Sequence, residues 1–357
     1  MSSSKINEDF YDLHRAIVSV RSLLDSFQNA LQSPAKAQVN PGTQLDPLPL
    51  IADASKLIKA QTTKLSLLML NSPFSPKEVT LIFNVLLNTT LPALMSGLEF
   101  CDPERYTKTL NTHVRSLLRI LFKELMGLIR RVPDNESKSQ EGDHRPTLAS
   151  TGILWEQCDA LAEIDDKGLL WLVDSKVKVS GELLSDAIDE LEDWDPRKTQ
   201  IEDDDDEDED EGSPIETPTT SDEERSCETI GDMALTSQMA LKVKVLKHLR
   251  LIRLLYSALR KRRISTFPQQ DIKFGLEIHG QVKKLNAIVD YAQDFTELAD
   301  ELACFLYDDS SEVLPKLEVL VARVKACVEL TRLSWNAQPD AFTTWIDKWI
   351  MLLEEMR

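Results

Sequence analysis

Residues 110–130, LNTHVRSLLRILFKELMGLIR, decide the fold class of this chain. Apolar side chains recur in it every three or four residues and mark one face: Leu110, Val114, Leu117, Leu121, Leu125 and Leu128. That spacing is the period of an amphipathic α-helix packed on a core. The pattern stops before Pro133, which cannot continue a helix. The stretch therefore predicts a long helix that packs against other helices.

The same period continues towards the N-terminus. It predicts a helix over residues 6–32 and, after a proline-rich segment, a second that ends near Asn71. Ser75-Pro76-Lys77-Glu78 predicts the next helix start, with serine as the cap, proline at the first position and glutamate closing a capping box. Asp102-Pro103-Glu104 repeats this start signal before the helix that contains residues 110–130. Five helices are thus expected once the helix around Trp155 is included.

The C-terminal half has the same character. A long helix is predicted from Asp165-Asp166 to Trp194, a basic helix over 232–264 and a further helix over 270–307. Two more are expected, one after Ser310 and one after Pro339. Glycine is scarce, at 11 of 357 residues, and alternating β-type runs are missing. The predicted fold class is all-α, built from long antiparallel helix bundles.

Ten consecutive carboxylates, Glu202 to Glu211, interrupt this helical pattern. Like charges at that density repel one another and offer no apolar surface for a core, so the segment is predicted to be a disordered linker. The net charge of the whole chain is −19, and the acid-rich region from Glu182 to Glu228 accounts for all of it. The predicted organisation is a helical bundle over 1–194, an acidic linker over 195–230 and a second bundle over 231–357.

No pattern in the sequence predicts catalysis. The five histidines are scattered, the five cysteines form no C-x-x-C pair, and no phosphate-loop, zinc-protease or nucleophile-elbow motif is present. We therefore expect no enzyme activity, cofactor, metal or small-molecule substrate, and no direct nucleic-acid binding. The uncharged stretch from Val79 to Leu98 contains Asn84, Asn88 and Pro92, which favours a buried bundle helix over membrane insertion.

Candidate phosphorylation sites follow the acidic run. Ser213 and Thr217 each precede a proline, and Ser221 precedes three acids, patterns that suit proline-directed and acidophilic kinases. Ser265 follows a basic cluster and resembles a basophilic kinase site. Added phosphate would extend the negative charge of the linker and strengthen its attraction for bases.

The basic helix carries two further candidate sites. Arg260, Lys261, Arg262 and Arg263 form a cluster that can act as a nuclear import signal. A competing hypothesis is that Glu202–Glu211 folds back onto this helix with salt-sensitive strength. Three leucines also lie among its bases, and either another helix of the bundle covers them or they line a partner-binding groove: Leu246, Leu251 and Leu254.

Several segments resemble the cyclin-D-binding protein family, the GCIP group of Grap2 and cyclin-D interacting protein-like sequences. They are Trp155-Glu156-Gln157-Cys158, Asp165–Leu170, the helix that ends at Asp195-Pro196 before acids, Leu249–Arg253, Ile288-Val289-Asp290 and Leu298–Ala303 with Tyr307. The resemblance spans most of residues 50–335. It implies a two-part helical fold related to talin- and vinculin-type bundles, without enzymatic activity.

The resemblance also implies a function. It implies binding to D-type cyclins and helix-loop-helix transcription regulators, residence in nucleus and cytoplasm, and restraint of cell-cycle progression. The leading hypothesis is therefore a non-catalytic helical adaptor that binds cell-cycle regulators. The alternatives are a cytoskeletal or adhesion-type bundle scaffold, suggested by architecture alone, and an acidic chaperone of basic proteins, suggested by the acidic run alone.

Overall fold

The computed structural model describes residues 3–33, 46–70, 73–133, 145–197, 224–268, 279–308 and 310–356. Within these ranges the secondary structure is helical, without a strand, which confirms the all-α fold class. The helices are α1 (Ser3–Gln32), α2 (Pro47–Leu70), α3 (Pro76–Val85), α4 (Leu91–Phe100), α5 (Pro103–Tyr106), α6 (Lys108–Arg130), α7 (Arg145–Asp193), α8 (Glu224–Leu259), α9 (His279–Asp308), α10 (Val313–Thr331) and α11 (Ala341–Glu355).

The chain divides into two compact units. Unit 1 comprises Met1–Val173 and Pro268–Asn286, and unit 2 comprises Asp174–Phe267 and Ala287–Arg357. The cuts fall inside α7 and α9, because the C-terminal half of α7 packs with the helices that follow it. The sequence predicts a different kind of division, into a bundle over 1–194, a linker over 195–230 and a bundle over 231–357. That organisation stays a prediction. The predicted linker, including Glu202–Glu211, lies outside the described residues.

Unit 1 is built from antiparallel helix pairs. Arg21 on α1 donates to the carbonyl of Ile129, and Arg119 on α6 donates to the carbonyl of Leu31, so α1 and α6 run in opposite directions. The α2 helix pairs in the same way with α7, as two contacts show: Lys59 with Asp159 at 2.6 Å and Ser66 with Thr151 at 2.7 Å. The side chains between these helices form the core, including Leu65, Phe83, Leu121 and Phe122, all fully buried.

Unit 2 is a second bundle with its own core. Asp174 on α7 pairs with Arg260 beyond α8, and Glu192 pairs with Arg250, so these two helices are antiparallel. The indole of Trp349 on α11 donates to the carbonyl of Leu251, which places α11 against α8. The centre is apolar, with Val245, Leu249, Phe295, Leu320 and Ile346 at or near zero exposure.

Three local predictions need correction. The α3 helix starts at Pro76 as predicted, but Ser75 makes no side-chain capping bond, so the capping box is absent. Asp102 caps only the four-residue α5, and α6 starts at Lys108 with Thr107 as its cap, whose hydroxyl accepts from the Leu110 amide. On α6, Leu118 is fully buried whereas Leu117 is not, because the helix has neighbours on more than one side.

Two helices contain interruptions. The helix around Trp155 and the one predicted to open at Asp165 are two helices that meet within α7 at Gly168, whose φ of 77° and ψ of 171° are a backbone conformation open to glycine. A π-helical turn, Leu86–Thr90, joins α3 to α4.

Among the described residues, Pro76–Phe100 has the length and apolar composition to cross a membrane. Its side chains Val79 and Phe83 are fully buried, as in a bundle helix.

Candidate protein-interaction surfaces

A groove of about 470 Å³ lies between α2 and α3 in unit 1. Leu67 and Leu81 stand on its two walls, and each is 53% exposed. Lys64 and Glu78 are exposed beside them and give the rim one base and one acid. An apolar floor with a charged rim is the geometry that receives an amphipathic helix of a partner. We call this feature the α2–α3 groove.

No motif in the sequence points to the α2–α3 groove. Leu67 belongs to an apolar run of α2, and Leu81 belongs to the uncharged stretch that favours a buried bundle helix. Their exposure depends on which helices pack against α2 and α3, which is a tertiary property. On a helical wheel Leu67 and Leu81 fall outside the arc of buried residues, and this position is the signal that the sequence offers.

The three leucines predicted on the basic helix separate in the structure. Leu246 is 6% exposed and belongs to the core of unit 2, so its assignment to a partner face is wrong. Leu251 is half-buried beside α11, whereas Leu254 is 55% exposed. Neighbouring helices therefore cover Leu246, whereas Leu254 remains on the surface and its place in a partner-binding groove stays a prediction.

The predicted basic cluster also separates. Lys261 and Arg262 are exposed, but Arg260 forms a two-bonded ion pair with Asp174 at 2.7 Å. Arg263 is 1% exposed and cannot belong to a surface patch. Arg263 follows the buried residues Tyr256 and Leu259 by seven and four residues, so helical spacing places it on the core face, within a π-helical turn over Arg260–Ile264. Nuclear import through the two exposed bases stays a prediction.

Buried Arg263 organises the end of unit 2. Its guanidinium donates to both carboxylate oxygens of Asp340, at 2.7 and 3.1 Å, and to the carbonyls of Thr331 and Arg332. Its plane lies 4.2 Å from the ring centroid of Phe342. Asp340 also caps α11 through the Thr343 amide. The hydrogen bonds from Arg263 lower the pKa of Asp340 to about 2, so the pair stays ionised at neutral pH.

The buried titratable groups are placed for structure. Burial raises the pKa of Cys101, Cys158 and Cys327 to about 12, so these thiols remain protonated at neutral pH. Burial lowers the pKa of His248, whose Nδ1 lies 2.8 Å from the Lys244 carbonyl. No group of three His, Cys, Asp or Glu side chains is placed to hold a metal ion in the part of the chain that the structure describes.

The candidate phosphorylation sites fall mostly outside the described residues. Ser213, Thr217 and Ser221 are in residues 198–223. Ser265 is described and exposed, and its hydroxyl donates to the Lys261 carbonyl at 2.6 Å. Its use by a kinase stays a prediction.

Two comparisons with known proteins bear on the origin of these surfaces. Residues 50–197 match the sequence model described as Grap2 and cyclin-D-interacting, N-terminal. This region is therefore similar to the Grap2 and cyclin-D-interacting family. The resemblance drawn from Trp155–Cys158 and Asp165–Leu170 is thereby confirmed. The matched residues contain both walls of the α2–α3 groove, which makes the groove a feature of the Grap2 and cyclin-D-interacting region.

The chain is also similar to an uncharacterized protein of Schizosaccharomyces pombe. The two are 23% identical over 343 residues, which cover 94% of this chain and 90% of that protein. The similarity thus extends beyond the Grap2 and cyclin-D-interacting region into unit 2.

Proposed function

We propose that this protein is a non-catalytic helical adaptor that binds cyclin-type cell-cycle regulators through the α2–α3 groove. The observation that carries the proposal is that the groove lies inside residues 50–197, the range matched by the family of cyclin-D-interacting proteins. In this proposal, helix-loop-helix regulators are further partners, binding restrains cell-cycle progression, and the protein resides in both cytoplasm and nucleus.

The chemistry of the groove fits a helical partner. Leu67 and Leu81 face solvent from opposite walls, so an apolar helix face between them removes both from water at once. Lys64 and Glu78 can pair with charges at either edge of that helix and set its direction. The groove thus combines an apolar centre with a polar rim, the arrangement typical of protein interfaces.

Direct binding between the purified full-length chain and a purified D-type cyclin tests the proposal by titration calorimetry. Leu67→Asp and Leu81→Asp each place a carboxylate in the apolar centre, and we expect each to weaken binding at least about tenfold because an unpaired buried charge costs several kcal/mol. The matched control is Leu183→Asp, because Leu183 is 51% exposed but lies in unit 2. Circular dichroism checks that all three variants stay folded.

Two results would contradict the proposal. Equal weakening by Leu183→Asp and Leu67→Asp would remove the groove as the binding site. No binding of the wild-type chain at micromolar concentrations would remove cyclins as the partner, and capture of cytoskeletal proteins through the groove would then favour the scaffold alternative.

A further inference from the structure

The solvent side of α8 carries a stripe of apolar and basic side chains. Val243, Lys247, Arg250, Leu254 and Lys261 are all exposed. They lie three, four or seven residues apart, so they share one face of the helix. We call this set the α8 outer stripe. It spans about 27 Å at 1.5 Å per residue, long enough to contact an extended segment of eight or nine residues.

The positive charge along the α8 outer stripe is largely uncompensated. Arg250 forms an ion pair with the carboxylate of Glu192 at 2.9 Å. Among the described residues, no ion pair involves Lys247, Lys261, or the exposed neighbours Arg253 and Arg262. Lys247 and Arg253 lie three residues on either side of Arg250, and bases this close repel each other, so a negatively charged occupant is stabilised there.

The chain itself brings a strong negative charge to this helix. The last described residues before the acidic run lie beside α8, because the Lys242 ammonium donates to the carbonyl of Trp194 and lies 5.9 Å from its ring centroid. The chain then returns to form α8 from Glu224 onwards. Both ends of residues 198–223 are therefore attached to the helix that carries the basic stripe.

We propose that the acidic segment Glu202–Glu211 binds the α8 outer stripe of its own chain, centred on Lys247 and Arg253. The segment has ten carboxylates and no base, the charge complement of the stripe. Its attachment at both ends gives it an effective concentration in the millimolar range, which an acidic segment of another protein must exceed. The contact is electrostatic and exposed, so salt weakens it.

Chain length sets where along α8 the segment can bind. The Trp194 carbonyl accepts from Lys242, and the first acid is eight residues further on, about 27 Å when extended, whereas Lys247 is only about 8 Å along the helix from Lys242. Lys261 is about 28 Å from Lys242 and about 56 Å from Glu224, so an acid that reaches it must hold most of the chain on both sides extended. The binding site is therefore near Lys247 and not near Lys261.

Lysine labelling of the full-length chain, read by mass spectrometry, tests the proposal. An amine-reactive reagent is applied in 20 mM and in 500 mM NaCl, and each labelling rate is divided by that of Lys123, an exposed lysine in unit 1. We expect Lys247 to label about threefold more slowly at low salt, as a few exposed ion pairs can provide. Lys261 should change by much less. Replacing the ten acids by Asn and Gln should abolish the difference at Lys247.

Matched arginine variants locate the contact. Arg253→Gln should reduce the protection of Lys247. Arg262 is also exposed, but the acidic segment reaches it only when most of the chain is extended, so Arg262→Gln should leave the protection of Lys247 unchanged. Equal labelling of Lys247 in the wild-type and neutralised chains at low salt would overturn the proposal. Protection of Lys261 above that of Lys247 would overturn the placement. Protection that falls when the protein is diluted would assign the segment to a second copy, which also refutes binding within one chain.

Discussion

The crossing of α2 and α4 at Gly97 allows a sharp test of the packing in unit 1. A methyl group added at Gly97 would lie 2.5 Å from Cγ1 of Ile51, whereas ordinary contact begins near 3.4 Å. Ile51 is 1% exposed, and a β-branched side chain has one strongly preferred rotamer in a helix. It cannot turn away, so the helices must separate by roughly 1 Å or their side chains must leave their rotamers.

The expected magnitude follows from two opposing effects. Overpacking a filled core costs about 1–3 kcal/mol. Alanine in place of glycine inside a helix returns up to about 1 kcal/mol. We therefore expect Gly97→Ala to lower the free energy of unfolding by about 1–2 kcal/mol. The control is Gly152→Ala on α7, because a methyl group there meets no atom within 4 Å, and it should stabilise by about 0.5–1 kcal/mol.

Urea unfolding followed by circular dichroism measures both variants, and hydrogen exchange of α2 and α4 peptides measures unit 1 alone. Ile51→Ala removes Cγ1, so in the double variant the new methyl group occupies space that Ile51 has vacated. We expect the double variant to be at least about 1 kcal/mol more stable than the sum of the single changes predicts. Stability of Gly97→Ala equal to or above that of Gly152→Ala would refute the close crossing.

Three further predictions concern unit 2. Arg263→Met should lower the free energy of unfolding by about 3 kcal/mol, because it leaves Asp340 unpaired. The control is Lys325→Met, which breaks an exposed pair with Glu354 and should cost under about 1 kcal/mol. The urea midpoints of the two variants compare these costs. The folded pKa of Asp340 lies below its unfolded value, so the contribution of this carboxylate to stability is present above about pH 4 and is lost as the pH falls through about 2. The difference in the free energy of unfolding between wild type and Asp340→Asn should therefore narrow from pH 5 to pH 3. The pKa of His248 is lowered in the folded chain, so the unfolded chain binds this proton first and the stability of the protein falls as the pH drops below about 6.5. Between pH 7.5 and 5.5 the His248→Gln variant should therefore lose less stability than wild type. An equal loss in both proteins would exclude this histidine as the cause.

Much of the fold could be predicted because helical periodicity is a local property. Short runs of residues carry most of the apolar positions of α6, the proline start of α3 and the starts of α10 and α11. Capping was less predictable. Ser75 has the residue type of a cap without the bond, and Thr107 caps α6 from a positive φ that the Asp102-Pro103 signal obscured.

The candidate sites were less predictable because exposure depends on what packs against each residue. Arg260 to Arg263 reads as one basic patch, yet Arg263 is buried against Asp340 and Lys261 stays outside. Leu246 and Leu254 both lie among the bases, but Leu246 is covered and Leu254 remains on the surface.

The sequence by itself determined that the chain is all-helical, that ten carboxylates interrupt it, and that residues 50–197 resemble the cyclin-D-interacting family, since each of these is carried by residues close together in the chain. Tertiary structure decided which leucines line the α2–α3 groove, which bases stay exposed on α8, and that α7 contributes to both compact units. The physical reason is that burial is set by neighbours distant in sequence, and a helical period shows that a face is apolar without showing what covers it.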